Sequence, residues 1–307
     1  MALRRLKTLI AISESGTFAG AAKSVHITQA AVSQQMKSLE QELQTTLFDR
    51  TKRPPQLNSL GLELTAKARA VVHAYDAMLD SLNDGDTLQG QLMLGAVPTT
   101  MTGLVPRTVN ALKSLYPELH IRITPGLSAD LLPLVDRNYL DCAILSEPYH
   151  IPKHMLWIPF SEEPLVLLAP LSSTSDDPVE LINDHPFIRF SRKAWVGNLI
   201  DQWLEKNQIR VNESMELDTL EAISSMVYHN LGVSIVPYRS VPSSNRLPVK
   251  RLPLGTNAPT RILGLATRQD NANNRFVKPL CTALVEIVRE AGQATEIPID
   301  TAQFPDG

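Results

Sequence analysis

Cysteine, clustered histidine and long apolar runs are all scarce in this chain. Only two cysteines, Cys142 and Cys281, occur among 307 residues. They lie far apart, in apolar surroundings and in no metal-ligand spacing, and read as two buried, reduced thiols rather than a disulfide framework or a thiolate metal site. Seven histidines are scattered along the chain. There is no HExxH, no GxSxG elbow and no GxxxxGK[ST] loop, so neither a catalytic centre, a metal nor a cofactor is expected. No segment approaches the roughly 20 apolar residues needed to span a bilayer. Arg4, Arg5 and Lys7 near the N-terminus precede no apolar core or cleavage site, so the expected location is the cytoplasm, with no membrane partner. What remains is an ordinary composition, 43% hydrophobic and 20% charged with a net charge of -3, suited to two or three folded domains rather than a disordered scaffold.

That small net charge hides an uneven distribution. Residues 1–58 carry Arg4, Arg5, Lys7, Lys23, Lys37, Arg50, Lys52 and Arg53 against Glu14, Glu40, Glu42 and Asp49, so one end is basic and the remainder acidic, as expected if one end alone meets nucleic acid. Within it, Thr17 to Val25, the turn His26-Ile27, and Thr28 to Glu40 read as a helix-turn-helix. Thr17 and Thr28 can each cap a helix by accepting from first-turn amides, and Ala21 and Ala22 permit a close helix crossing. Val25, Ile27, Val32, Met36, Leu39 and Leu43 fall inward at helical spacing. Thr28, Gln29, Ala30, Ser33, Gln34 and Lys37 are left for base edges and phosphates in a major groove. Arg50, Lys52 and Arg53, followed by Pro54-Pro55, form a basic stiff turn where a wing would place cations against the backbone or minor groove.

Three further pieces, Leu39-Glu40-Gln41-Glu42-Leu43, Leu47-Phe48-Asp49-Arg50 and Leu57-Asn58-Ser59-Leu60-Gly61, stand in order and at the spacing of the LE..L, LF.R and LT..G elements of LysR-type transcriptional regulators. The chain resembles that family. It departs from the family pattern at Ala30, Gln44 and Asn58, where proline, glycine and threonine are usual. Gln44 removes an easy left-handed residue between helix and wing, whereas Asn58 retains a capping side chain.

Beyond the wing, Leu64, Ala68, Val71, Tyr75, Met78 and Leu82 repeat by alternating fours and threes. This heptad seam predicts one long linker helix over 59–89 that pairs with its copy, and a dimer could engage two half-sites. From Gln91 onward, short apolar runs at 92–97, 119–123, 141–145, 165–169, 187–190, 232–236 and 262–266 alternate with helical patterns. The alternation predicts an α/β domain with mainly parallel sheets over 90–292, and a loose tail over 293–307. The family resemblance implies a sensor like a type-2 periplasmic binding protein, with one subdomain over about 91–162 and 267–292 and another over about 163–266. It also implies tetramers through sensor contacts, and makes RNA polymerase a candidate partner besides double-stranded operator DNA.

Ligands in open α/β sheets sit beyond the strands' carboxyl ends. Thr99, Thr100, Ser128, Ser146, Ser191 and Thr219 stand at such turns, with Trp195 near a helix start, and together they predict a small-molecule effector site suited to an organic anion. Arg122, Arg189 and Arg192 are either partners for an acidic ligand or surface ion pairs. The expected function is therefore effector-controlled, sequence-specific DNA binding. The alternatives are a redox-driven or ligand-independent regulator and, with less support, an enzyme on a binding-protein fold.

Overall fold

The computed structural model describes residues 2–80, 90–271, 276–292 and 295–296. They form two compact units, an N-terminal one and one carried by most of the residues from 90 on. In the first, α1 (Ala2–Ser15), α2 (Phe18–Ser24) and α3 (Gln29–Glu42) are followed by the two-residue strands β1 (Phe48–Asp49) and β2 (Gln56–Leu57) and by α4 (Ser59–Asp80). β1 and β2 pair antiparallel as the wing. Both expected caps are made: Thr17 Oγ1 accepts from the Gly20 amide at 3.0 Å and Thr28 Oγ1 from the Ala31 amide at 3.2 Å.

Val32, Met36 and Leu39 enter a core with Leu9, Ile12, Ala21, Ala22, Leu47 and Phe48, while Val25 and Ile27 pack at its edge. Leu43 does not join them and is 43% exposed. The helix ends at Glu42, and Gln44 turns the chain through the left-handed region at φ +49°, so Leu43 loses the helical phase that would have pointed it inward. Asn58 ties the wing to α4: its Oδ1 accepts from the Gly61 amide at 2.8 Å and its Nδ2 donates to the Thr46 carbonyl at 2.8 Å. Gly61 is required there, because a Cβ would lie 2.3 Å from the Leu47 carbonyl oxygen.

The heptad seam divides. Ala68 is buried in the N-terminal core and Leu64 packs against it, because the first turns of α4 lie along α1. Those two positions therefore stabilise their own domain instead of a two-fold seam. Val71, Tyr75 and Met78 are exposed; Leu82 lies outside the described residues.

In the second unit β3 (Gly90–Ala96), α5 (Leu104–Leu115), β4 (Leu119–Pro125), α6 (Ser128–Asp136) and β5 (Cys142–Ser146) build a parallel layer with β3 between β4 and β5. The 15-residue β6 (Met155–Ala169) leaves it; α7 (Pro178–Asp184), β7 (Phe187–Phe190), α8 (Trp195–Lys206), β8 (Glu213–Leu217), α9 (Leu220–Tyr228), β9 (Ser234–Pro237) and β10 (Lys250–Pro253) follow, and β11 (Thr260–Arg268) returns before α10 (Val277–Ala291) and β12 (Thr295–Glu296). β6 pairs antiparallel with β11 over its first part and with β9 and β10 over its second. β11 also pairs antiparallel with β5.

The expectation of mainly parallel sheets is thus corrected. β6 and β11 carry the chain out to a second core and back, and two strands joining the same places in opposite chain directions run antiparallel. Their side chains divide accordingly. Leu263, Leu265 and Ala266 belong to the first core with α10, whereas Leu165 to Ala169 belong to the second with β7, β9, α8 and α9. The return crossing therefore falls near residue 260, earlier than the expected boundary at 266. The first part of β6 contains Pro159, which the register places opposite Gly264 where the ladder shifts, an irregularity that accommodates a residue without an amide hydrogen.

β8 was not among the expected strands, because its Glu-Ser-Met-Glu-Leu sequence is mostly polar. It pairs parallel with β7 and is held by charge. Arg192 and Arg189 both donate to Glu213 at 2.7 Å, and Arg189 also pairs with Asp201. Hydrogen bonds from Arg192, then Arg189, hold the Glu213 carboxyl down to about 2 against the opposing effect of burial.

Gln44 supplies a direct stability test. A side chain in the left-handed region is strained, so Gln44→Gly is expected to stabilise the first unit by about 0.5–1 kcal/mol after the added chain entropy of glycine. Hydrogen exchange of the α3 and β1 amides in the full chain should slow by about two- to fivefold. Unchanged or faster exchange would show that the Gln44 side chain contributes more than its backbone costs.

Candidate DNA-reading surface and effector cleft

On α3 the side chains of Gln29, Ala30, Ser33, Gln34 and Lys37 are all exposed. Thr28 is exposed too, although its hydroxyl is engaged as the cap. Gln29 and Ser33 line a concavity with Thr17, Phe18, Ala19, Phe48, Arg50, Pro54 and Pro55, so one face of the helix and the wing prolines share a single surface. Polar side chains on a helix beside cationic loops can read base edges while the cations hold phosphates.

The wing is positioned by a residue whose role the sequence did not reveal. Glu40 accepts from the Leu47 amide at 2.8 Å and from Arg50 at 2.6 Å. Its side chain is 10% exposed while that of Arg50 is 64% exposed. Arg50 thus serves two ends, anchored by Glu40 and still open to solvent. Lys52 donates to Gln56 Oε1 across the wing at 3.0 Å, and Arg53 is exposed.

The hydroxyls expected at the sensor's strand ends fall into two groups. Thr100, Ser128 and Ser146 stand at the carboxyl ends of the adjacent parallel strands β3, β4 and β5 and are buried. Ser128 Oγ accepts from the Ser146 amide at 3.1 Å, and Thr100 Oγ1 donates to the Val97 carbonyl at 2.8 Å. Ser191, Trp195 and Thr219 stand at the ends of β7 and β8 in the second half, where the Ser191 amide donates to the Leu217 carbonyl at 2.8 Å. Ser191 Oγ accepts from the Lys193 amide at 3.3 Å, and Thr219 caps α9. The halves meet through Leu127, which packs on the second core, and through Tyr149 edge-on to Trp195 with ring centroids 6.3 Å apart.

Thr99 belongs to neither group. It is buried, and its hydroxyl accepts from Arg261 Nη1 at 2.9 Å. Arg261 is also bound to Glu163, its cross-strand neighbour on β6, and both side chains are 2% exposed. The second carboxylate oxygen of Glu163 accepts from the Ser240 amide at 2.8 Å and the Ser240 hydroxyl at 2.9 Å. Four segments are therefore joined where β6 and β11 cross between the cores. Neither member of this pair stood out in the sequence, because 98 residues separate them. Arg189 and Arg192 are occupied by Glu213, Asp201 and Glu216, so they act as structural ion pairs instead of ligand partners.

Both cysteines are buried. Burial pushes the Cys281 thiol up to about 12, and burial together with the nearby Asp141 charge raises that of Cys142. Among the described residues no helix is long and apolar enough to cross a membrane.

Both units match known protein families. Residues 3–69 match the model of the bacterial regulatory helix-turn-helix protein, lysR family, and residues 85–292 that of the LysR substrate binding domain. A probable RuBisCO transcriptional regulator from Nostoc sp. is 30% identical over 244 residues, covering 76% of this chain and 72% of the relative. Two solved structures share the fold. A full-length OxyR variant from Pseudomonas aeruginosa has a TM-score of 0.77 at 23% identity, covering 97% of this chain and 99% of that one. Full-length CbnR in complex with its target DNA has a TM-score of 0.61 at 19% identity, covering 95% and 100%. With a helix-turn-helix at one end, a two-core sensor over most of its length and family models matching both, the chain belongs to the LysR family of bacterial transcriptional regulators.

Proposed function

We propose that this regulator holds its operator, or activates its promoter, according to the occupancy of a small-molecule site between the two halves of residues 90–292. The observation that supports the reading most is the joining in one chain of a helix face bearing Gln29, Ser33, Gln34 and Lys37 to a sensor with hydroxyls at strand ends in both of its halves. A ligand changes DNA binding only through its difference in affinity for two arrangements of the sensor. A site made of both halves provides that difference. Thr100, Ser128, Ser146, Ser191 and Thr219 are the proposed effector contacts, with Trp195 at the rim. Ser128 and Thr219 accept from backbone amides through their hydroxyl oxygens, which leaves their hydroxyl protons for an organic anion.

Val71, Tyr75 and Met78 are the proposed pairing surface of α4 in a homodimer, with tetramers assembled through the sensors. Double-stranded operator DNA, RNA polymerase at the promoter and a cytoplasmic location complete the reading. CbnR, whose structure includes its target DNA, supports the DNA assignment by analogy. A thiol-based redox reading is less well supported here. A sensing cysteine needs an accessible, low-pKa thiolate, whereas Cys142 and Cys281 are buried with raised pKa values.

The DNA assignment separates base reading from phosphate holding. Gln29→Ala is expected to narrow the gap between operator and random DNA by about 1–3 kcal/mol. Arg53→Ala should weaken both alike and lower the salt slope by about 1. Competition titrations at several salt concentrations measure these effects. Equal losses on both DNAs for Gln29→Ala would remove Gln29 from the base-reading set.

The effector assignment is tested by thermal shift against a metabolite panel, then by footprinting with and without the stabilising compound. Thr100→Val keeps side-chain volume and removes a hydroxyl that would turn from the Val97 carbonyl to the anion. It should leave operator affinity intact and shift the effector midpoint upward by about tenfold, corresponding to a hydrogen bond to an anion worth about 1.4 kcal/mol. A wild-type midpoint and amplitude would make Thr100 a turn residue only.

A further inference from the structure

A second polar concavity lies in the sensor, bordered by the first turn of α9, which follows Thr219. It is a cavity of about 110 Å³. Its apolar floor is Val166 and Leu168 of β6, Leu220 of α9 and Val236 of β9, and its polar wall holds Arg239, Arg246 and Arg251 with Glu221 as the one acid. Three guanidinium groups against one carboxylate leave the lining cationic.

The arginines differ in what their donors already do. Arg239 is buried, with Nη1 donating to Thr102 at 2.9 Å and Nη2 to Glu221 at 2.5 Å. Its Nε is buried without a hydrogen-bond partner, an expensive condition for a charged donor. Arg251 is half-buried and donates to the backbone carbonyls of Val249 at 3.0 Å and Leu247 at 3.4 Å. Burial, then the positive charge of Arg246, lowers its proton affinity. Arg246 is exposed at the mouth, with its guanidinium carbon 5.7 Å from the Tyr238 ring centroid. Ser224, Ser243 and Asn245 add polar groups to the same lining.

We infer that this cavity binds a compact phosphate-type oxyanion, either free or as the terminal group of a small phosphate ester. The three guanidinium groups of Arg239, Arg246 and Arg251 gathered over an apolar floor carry the inference. Its oxygens accept from Arg239 and from the guanidinium groups nearer the mouth, where charge-assisted bonds are strongest. The site is separate from the proposed effector cleft and has its own route to it. Arg239 and Glu221 both bind Thr102, in the turn that follows Thr100, so an anion drawing on Arg239 bears on the contact between the two halves.

Isothermal titration of the full chain with inorganic phosphate, glycerol phosphate and acetate tests the inference. Wild-type protein is expected to bind phosphate or the ester with at least tenfold preference over acetate. Arg246→Gln, at an exposed position that leaves the core untouched, should weaken binding by about tenfold, and Arg251→Gln should do so as well. Thr100→Val should leave phosphate affinity unchanged, which separates this site from the cleft, and circular dichroism confirms that each variant is folded. Phosphate binding with either ester outcome supports the site and tells a free ion from a metabolite head group. No saturable phosphate or ester binding, acetate binding of equal strength, or binding insensitive to both arginine substitutions in folded protein would overturn it.

Discussion

The sensor turns on one buried ion pair. Glu163 and Arg261 face each other across β6 and β11 at 2% exposure, where a lone charge would be severely penalised. Each is stabilised by the other and by hydrogen bonds that satisfy what remains: Thr99 for the guanidinium, and the amide and hydroxyl of Ser240 for the carboxylate. These partners come from the turn after β3 and the segment after β9, so a single network fixes how both cores meet the crossing strands. Thr99 is consequently committed to the frame, while its neighbour Thr100 remains at the strand end with Ser128 and Ser146.

A smaller version of the same device organises the DNA-reading unit. Glu40 satisfies the Leu47 amide and restrains Arg50, so a carboxylate at the end of α3 sets the start of the wing. The acidic letter of the LE..L motif and the basic letter of LF.R are thus two halves of one contact. Gly61 in the third motif admits the Leu47 carbonyl against α4. All three motifs converge on the turn around Leu47, which explains why they keep a fixed spacing although only part of the surface they shape can touch DNA.

Much of this was legible because it is local. The caps Thr17 and Thr28, the buried stripe Val32, Met36 and Leu39, and the strained position Gln44 follow from spacing and backbone preference over a few residues. Three kinds of feature were not. Contacts between distant segments, such as Glu163 with Arg261, leave no local trace. A stripe such as Leu64 to Met78 does not say which partner it meets, and α4 gives its first part to its own domain and exposes the next. A polar strand such as β8 lacks the apolar signal because ion pairs with Arg189 and Arg192 hold it in place. The directions of β6 and β11 were hidden for a related reason: strand and helix alternation is the same whether a strand stays in one layer or crosses to the next.

The ion pair is open to a double-mutant cycle. All three tryptophans, Trp157, Trp195 and Trp203, lie in the second unit, so selectively excited tryptophan fluorescence during urea unfolding of the full chain reports on the sensor alone. Glu163→Leu and Arg261→Met should each destabilise by about 3–5 kcal/mol, because each leaves a buried polar partner uncompensated. The doubly apolar Glu163→Leu, Arg261→Met variant should lose far less than the sum of the single losses. Small single losses that simply add in the double variant would contradict a sensor held together at this pair.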